Sequence, residues 1–141
     1  MQHAFMNMVE LKVPVNGDYV SVVRLLVSGL ATRLGLPVDE LENLKLVIGE
    51  AFLNVVEKVN AGGLVTLKWR EDSDHITVSI GHPALSEKEI IKSAGLSLLS
   101  QLGGSYDTSI VDGVEHLDLD FEIKHRDNRP FIFNGPKDGQ A

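Results

Sequence analysis

The sequence predicts an α+β fold: a two-layer sandwich in which one mixed sheet is covered by helices on one face. Three observations carry this. Short segments with apolar residues at alternate positions bracket two long segments with apolar residues three and four apart, the patterns of half-buried strands and of amphipathic helices. The strands fall in groups with helices gathered between them, rather than alternating one by one. The chain has 141 residues and is 43% hydrophobic, enough for a single core.

Val9 to Val15, "VELKVPV", alternates apolar and polar and reads as a strand, with Pro14 near its end or on a sheet edge. "NGD" at 16–18 is a turn, with Asp18 as the expected N-cap of a helix reaching Leu34. Its expected buried stripe is Val22, Val23, Leu26, Leu30 and Leu34. Gly35 should end it and Pro37 should prevent its continuation. A second helix is expected from Val38 or Asp39 to Val59, burying Leu41, Leu44, Ile48, Ala51, Phe52, Val55 and Val59. "NAGG" closes it.

Leu64 to Arg70 and His75 to Ile80 read as strands joined by the acidic turn "EDSD". A short helix is expected over Ile90 to Leu102. Tyr106 to Val111 and Val114 to Ile123 should form a hairpin around Asp112-Gly113. The folded domain is thus placed at 1–123. A polar tail occupies 124–141, and its apolar triplet Phe131-Ile132-Phe133 is expected to dock on the sheet or on another chain.

The formal net charge of -7 and the absence of a long Lys/Arg run argue against a nucleic-acid surface. With no cysteine, disulfides, thiolate metal sites and a Cys nucleophile are excluded. The N-terminus lacks a signal-peptide pattern. The run from Val20 to Ala31 is interrupted by Arg24 and is too short to span a bilayer. A soluble, cytoplasmic protein with no membrane contact is expected.

The second helix poses the functional question. Asn43, Glu50, Asn54 and Glu57 form one polar line on an otherwise apolar helix, flanked by Leu46, Val47 and Leu53. Glu50 and Asn54, four apart, project together. A carboxylate can serve as a general base, and an amide oxygen suits magnesium. Such a pair fits phosphoryl transfer, although the same spacing occurs on ordinary wet helix faces. His75, His82 and His116 lack carboxylate spacing for a metal site, and His116 is expected on a solvated face. Trp69 reads as a core or interface aromatic.

The order of elements, the stretch "VPVNGDYVSVVRLLVSGLATRLGLPVDELENLKLVIGEAFLNVV" and the closing hairpin resemble the RsbW/SpoIIAB anti-sigma-factor serine kinases of the GHKL superfamily, which have the Bergerat fold. The resemblance covers roughly Val9 to Ile123. It implies ATP and Mg2+ as cofactors, Glu50 as catalytic base and Asn54 as metal ligand. It also implies a sigma factor and an anti-anti-sigma antagonist as partners, and a homodimer.

Two motifs depart from the family pattern. Where the family has Asp-x-Gly, with the Asp on the adenine amino group, this chain reads "TVSIGHPALSE"; Ser79 or Ile80 takes the place of the Asp, and Gly81 remains of the turn. An unreplaced bond of that kind costs about 1.5–3 kcal/mol. Where the family has Gly-Gly-x-Gly-Leu near the phosphates, this chain has "SAGLSLL", keeping Gly95 but carrying Ala94 and Ser97.

The favoured expectation is therefore an anti-sigma-like regulatory protein that binds a sigma factor or antagonist, with weak or lost ATP binding. The alternative is an active ATP- and Mg2+-dependent serine protein kinase with a divergent pocket. A third reading is a homodimeric domain with some unrelated ligand or none.

Overall fold

The computed structural model describes residues 7–59, 61–85, 99–100 and 103–123. Its strands are β1 (Asn7–Pro14), β2 (Leu64–Glu71), β3 (His75–Gly81), β4 (Gly104–Val111) and β5 (Val114–Glu122). Its helices are α1 (Val20–Arg33) and α2 (Val38–Lys58), with a 3-10 turn at Gly17–Tyr19 before α1. The strands form one five-stranded sheet in the order β1-β2-β3-β5-β4.

The α+β class stands, but the sheet is antiparallel at every pairing rather than mixed. The connections explain why. β1 and β2 are joined through two successive helices, so the chain enters β2 running opposite to β1, with Leu64 beside Pro14. β4 is placed at the edge and β5 is inserted between it and β3. Placed directly against β3, β4 would have paired with it in parallel.

Strand alternation places one apolar face against the helices. The cross-strand row Leu11, Leu67, Ile80 and Leu117 lies beside the row Val9, Trp69, Val78 and Leu119. These residues pack with α1 and α2 in one core, in which Trp69 and Phe52 are fully buried. The opposite face is polar, with Lys68, Ser79, Asp118 and Asp107 in register across it.

In α1 the buried stripe is Val23, Val27, Ala31 and then Leu34. The helix is rotated from the expected stripe, leaving Val22 41% exposed. Asn16, rather than Asp18, supplies the capping side chain, accepting the Asp18 amide at 2.8 Å before the 3-10 turn. Gly35 has φ 75, as a helix-ending glycine should. α2 starts after Pro37 with Asp39 and Glu40 in its first turn, where carboxylates complement the helix dipole. Asp112 and Gly113 both have positive φ, 53 and 79, the geometry of a tight hairpin turn between β4 and β5.

The expected helix at Ile90–Leu102 lies outside the described residues except for Leu99 and Ser100, which are helical, Leu99 being fully buried. The tail at 124–141 lies outside them altogether. Among the described residues, no helix is long and apolar enough to cross a membrane.

Candidate functional site

α2 buries more than half of its circumference. Leu44, Val47, Ile48, Gly49, Ala51, Phe52 and Val55 are all in the core. That leaves a narrow strip for the polar line. Asn43, Glu50 and Asn54 are half-buried, whereas Glu57 is exposed, so the line passes from a sheltered part of the helix to an open one. Leu53, on one flank, packs against the 3-10 turn, where a Cβ on Gly17 would meet it at 3.4 Å.

The Glu50–Asn54 pair has a defined geometry. The Asn54 Nδ2 group donates to the Glu50 backbone carbonyl at 2.9 Å. Only the NH2 end of the amide can donate to a carbonyl, so Oδ1 points away from that bond as a free acceptor. Among the described residues nothing pairs with the Glu50 carboxylate. The helix thus presents a carboxylate and an oriented amide oxygen side by side, a donor set suited to a hard cation and a hydroxyl proton.

Gly49, next to Glu50, was not singled out by the sequence pattern. It is buried, and a Cβ there would come within 2.6 Å of Arg24 Nε. The missing side chain leaves room for the Arg24 guanidinium from α1 to lie against α2. The signal for it was a glycine in the middle of a strong helical pattern.

The end of β3 carries the other residues singled out in the sequence. Ile80 is fully buried in the core, paired with Leu67 and Leu117. Ser79, also buried, faces the polar side of the sheet and accepts from Arg70 Nη2 at 3.0 Å. Neither residue puts a carboxylate on the helix side. Gly81 is the last residue of β3, and its Cα hydrogens meet the ring of His116 across the strand pair, where a Cβ would collide with the imidazole. His116 is itself buried and not solvated, with Nδ1 at 3.1 Å from the Val114 carbonyl. The structure therefore brings Glu50 and Asn54 together on α2, whereas Gly81 stands at the end of β3 with the His116 ring against it. Gly95 lies outside the described residues. Among those described, no group of three or more His, Cys, Asp or Glu could hold a metal ion.

A buried carboxylate escaped the sequence reading. Glu71, assigned there to an acidic turn, ends β2 on the apolar face and is 4% exposed. It accepts from Trp69 Nε1 at 2.8 Å, Arg33 Nη2 at 2.5 Å and Asn7 Nδ2 at 3.1 Å. Burial pushes its carboxyl upward. The hydrogen bonds from Arg33, Trp69 and Asn7, with the Arg33 charge, outweigh that and hold it below its ordinary value of 4.5. It ties the end of α1 to β1 and β2 at the edge of the sheet.

No family model matches the chain. Curated relatives do. The serine-protein kinase RsbW of Bacillus cereus is 31% identical over 113 residues, 77% of this chain and 64% of that protein. RsbW of Bacillus mycoides matches over the same span at 31%, and RsbW of Bacillus subtilis is 36% identical over 75 residues, 51% of this chain and 47% of that one. The chain thus spans about half to just under two thirds of the length of these relatives. Among solved structures, the histidine kinase domain of the Erythrobacter litoralis EL346 blue-light activated kinase gives a TM-score of 0.49 at 15% identity, over 79% of this chain and 62% of that one. That likeness is too slight to carry an argument. By its relatives, the chain is similar to the RsbW-type serine-protein kinases.

Proposed function

We propose that the protein is an anti-sigma-like regulatory protein of a partner-switching system, which binds a sigma factor or its antagonist and binds ATP weakly or not at all. The observation that carries this reading is the end of β3. Ile80 is sealed in the core, and both ring nitrogens of the neighbouring His82 are already engaged by backbone groups. Neither Ile80 nor His82 therefore offers a free acceptor to an adenine amino group. The fit to a magnesium nucleotide is therefore uneven. Asn54 Oδ1 could hold the metal and Glu50 could take a proton, but neither Ile80 nor His82 offers the base an acceptor. Magnesium, when bound, would supply charge neutralisation at the phosphates.

The partners are protein chains, a homodimer is part of the proposal, and so is a cytoplasmic location. The test is binding of a purified sigma factor or antagonist to the full chain with and without Mg-ATP. Affinity indifferent to nucleotide is expected; affinity that depends strongly on ATP would overturn the reading.

A second reading is favoured by the preset Asn54 amide beside Glu50: an active serine protein kinase, with Glu50 as base, Asn54 on the metal, and Gly81 and Gly95 in the nucleotide loops. Mg-dependent phosphate transfer to a serine of an antagonist, abolished by Glu50→Gln in a protein that still folds, would establish it.

A further inference from the structure

His82 is 4% exposed and lies at the point where the chain leaves β3. Its Nδ1 accepts the Ala84 amide at 3.0 Å, and its Nε2 lies 2.8 Å from the Gly62 carbonyl. A backbone N–H can only donate and a carbonyl can only accept. The ring is therefore the neutral Nε2–H tautomer, and both nitrogens are satisfied. The His82 carbonyl also takes the Leu85 amide at 2.9 Å, closing the turn that leads to buried Leu85.

The other end of this bridge is the connection from α2 to β2. Gly62 follows the end of α2 closely, and its neighbour Gly63 has φ 94, a conformation suited to glycine. The Gly63 carbonyl takes the Val15 amide at 3.3 Å. Two chain segments thus meet at one imidazole, the connection after α2 and the exit of β3, and the first of these is bonded in turn to the end of β1. α2 is the helix that carries Glu50 and Asn54.

We infer that His82 is a positioning residue, which holds the exit of β3 on the end of α2 with no ligand present. The joint is made entirely within the chain, so the exit of β3 and the connection after α2 are fixed to each other before any nucleotide or partner arrives. Only the use of this joint in partner binding rests on the function proposed above.

Two substitutions separate the ring's two bonds. In His82→Asn, the side-chain oxygen takes the place of Nδ1 and keeps the Ala84 bond, but the tie to Gly62 is lost. In His82→Gln, the amide NH2 takes the place of Nε2 and keeps the tie to Gly62, but the Ala84 acceptor is lost. Amide hydrogen exchange on the full chain should show reciprocal effects. Ala84 should exchange about tenfold faster in the Gln variant and close to the wild-type rate in the Asn variant, with Val15 showing the reverse. Nitrogen spectra of the wild-type imidazole at neutral pH should show Nε2 protonated and Nδ1 bare. An Nδ1–H ring, or both variants exchanging at wild-type rates at Ala84 and Val15, would overturn the inference. Adding Mg-ATP to the wild-type chain distinguishes the two levels of the argument. Unchanged exchange at Ala84 and Val15 supports a joint complete without ligand. Slower exchange with nucleotide overturns both that completeness and the proposed loss of ATP binding, while the Asn and Gln pattern still decides whether His82 makes the joint.

Discussion

Replacing Glu71 by alanine should be among the most costly single changes on the sheet edge, and the cost should depend on pH. The largest part comes from Trp69, whose indole N–H is fully buried and donates to Glu71 at 2.8 Å. Left without an acceptor, such a group costs about 1–3 kcal/mol. Arg33 is 48% exposed and can turn to water, so its ion pair adds at most about 1 kcal/mol. Asn7 is exposed and adds little. The sum is about 1–4 kcal/mol, a sizeable share of the stability of a small domain. Glu71→Gln keeps one acceptor oxygen and should cost about half as much.

The pH dependence follows from the carboxyl being held below its ordinary 4.5 when folded. Its contribution is fully present above the unfolded value and is lost as pH falls through the lower, folded value. Urea unfolding followed by Trp69 fluorescence should therefore show a gap between wild type and Glu71→Gln that is widest near neutral pH and closes with acidification. A gap that stays constant from about pH 7 to about pH 3, or an alanine variant within about 0.5 kcal/mol of wild type, would refute the buried-acceptor argument.

Gly81→Ala should destabilise by about 1–3 kcal/mol through overpacking against His116. Adding His116→Ala should recover part of that loss in a double-mutant cycle, and strict additivity would remove the contact as the reason for the glycine. Gly113→Ala, at φ 79, should cost about 1 kcal/mol in thermal unfolding, because the turn between β4 and β5 needs a left-handed residue there. Glu50→Gln should leave the thermal midpoint within a few degrees of wild type, since no described residue pairs with that carboxylate. A large drop would show that Glu50 holds the fold.

Local patterns were the most legible part of the sequence. Alternation in "HLDLDFE" and the Asp112-Gly113 pair located the last hairpin, and the Gly35–Pro37 pair located the break between the helices. Strand direction was not legible, because the side-chain period of a strand is the same in parallel and antiparallel pairing. The rotation of α1 was missed because Val22 and Val23 are equally apolar, and only packing against α2 decides which is buried. Glu71 and His116 were misplaced for a related reason: a polar residue is read as solvated unless its buried partners are known, and those of Glu71 come from β1 and α1, far away in sequence. In the candidate site, the pairing of Glu50 with Asn54 followed from their spacing. The orientation of the Asn54 amide, the Arg24–Gly49 contact and the engagement of both His82 nitrogens depend on tertiary geometry.

The most direct measurement is calorimetric titration of the full chain with ATP and with ADP, each with magnesium. With Ile80 buried and His82 already committed to backbone groups, the expected result is no saturable heat up to about 1 mM nucleotide. Saturable binding at about 1 μM would contradict the loss of nucleotide recognition and make the kinase reading the leading one.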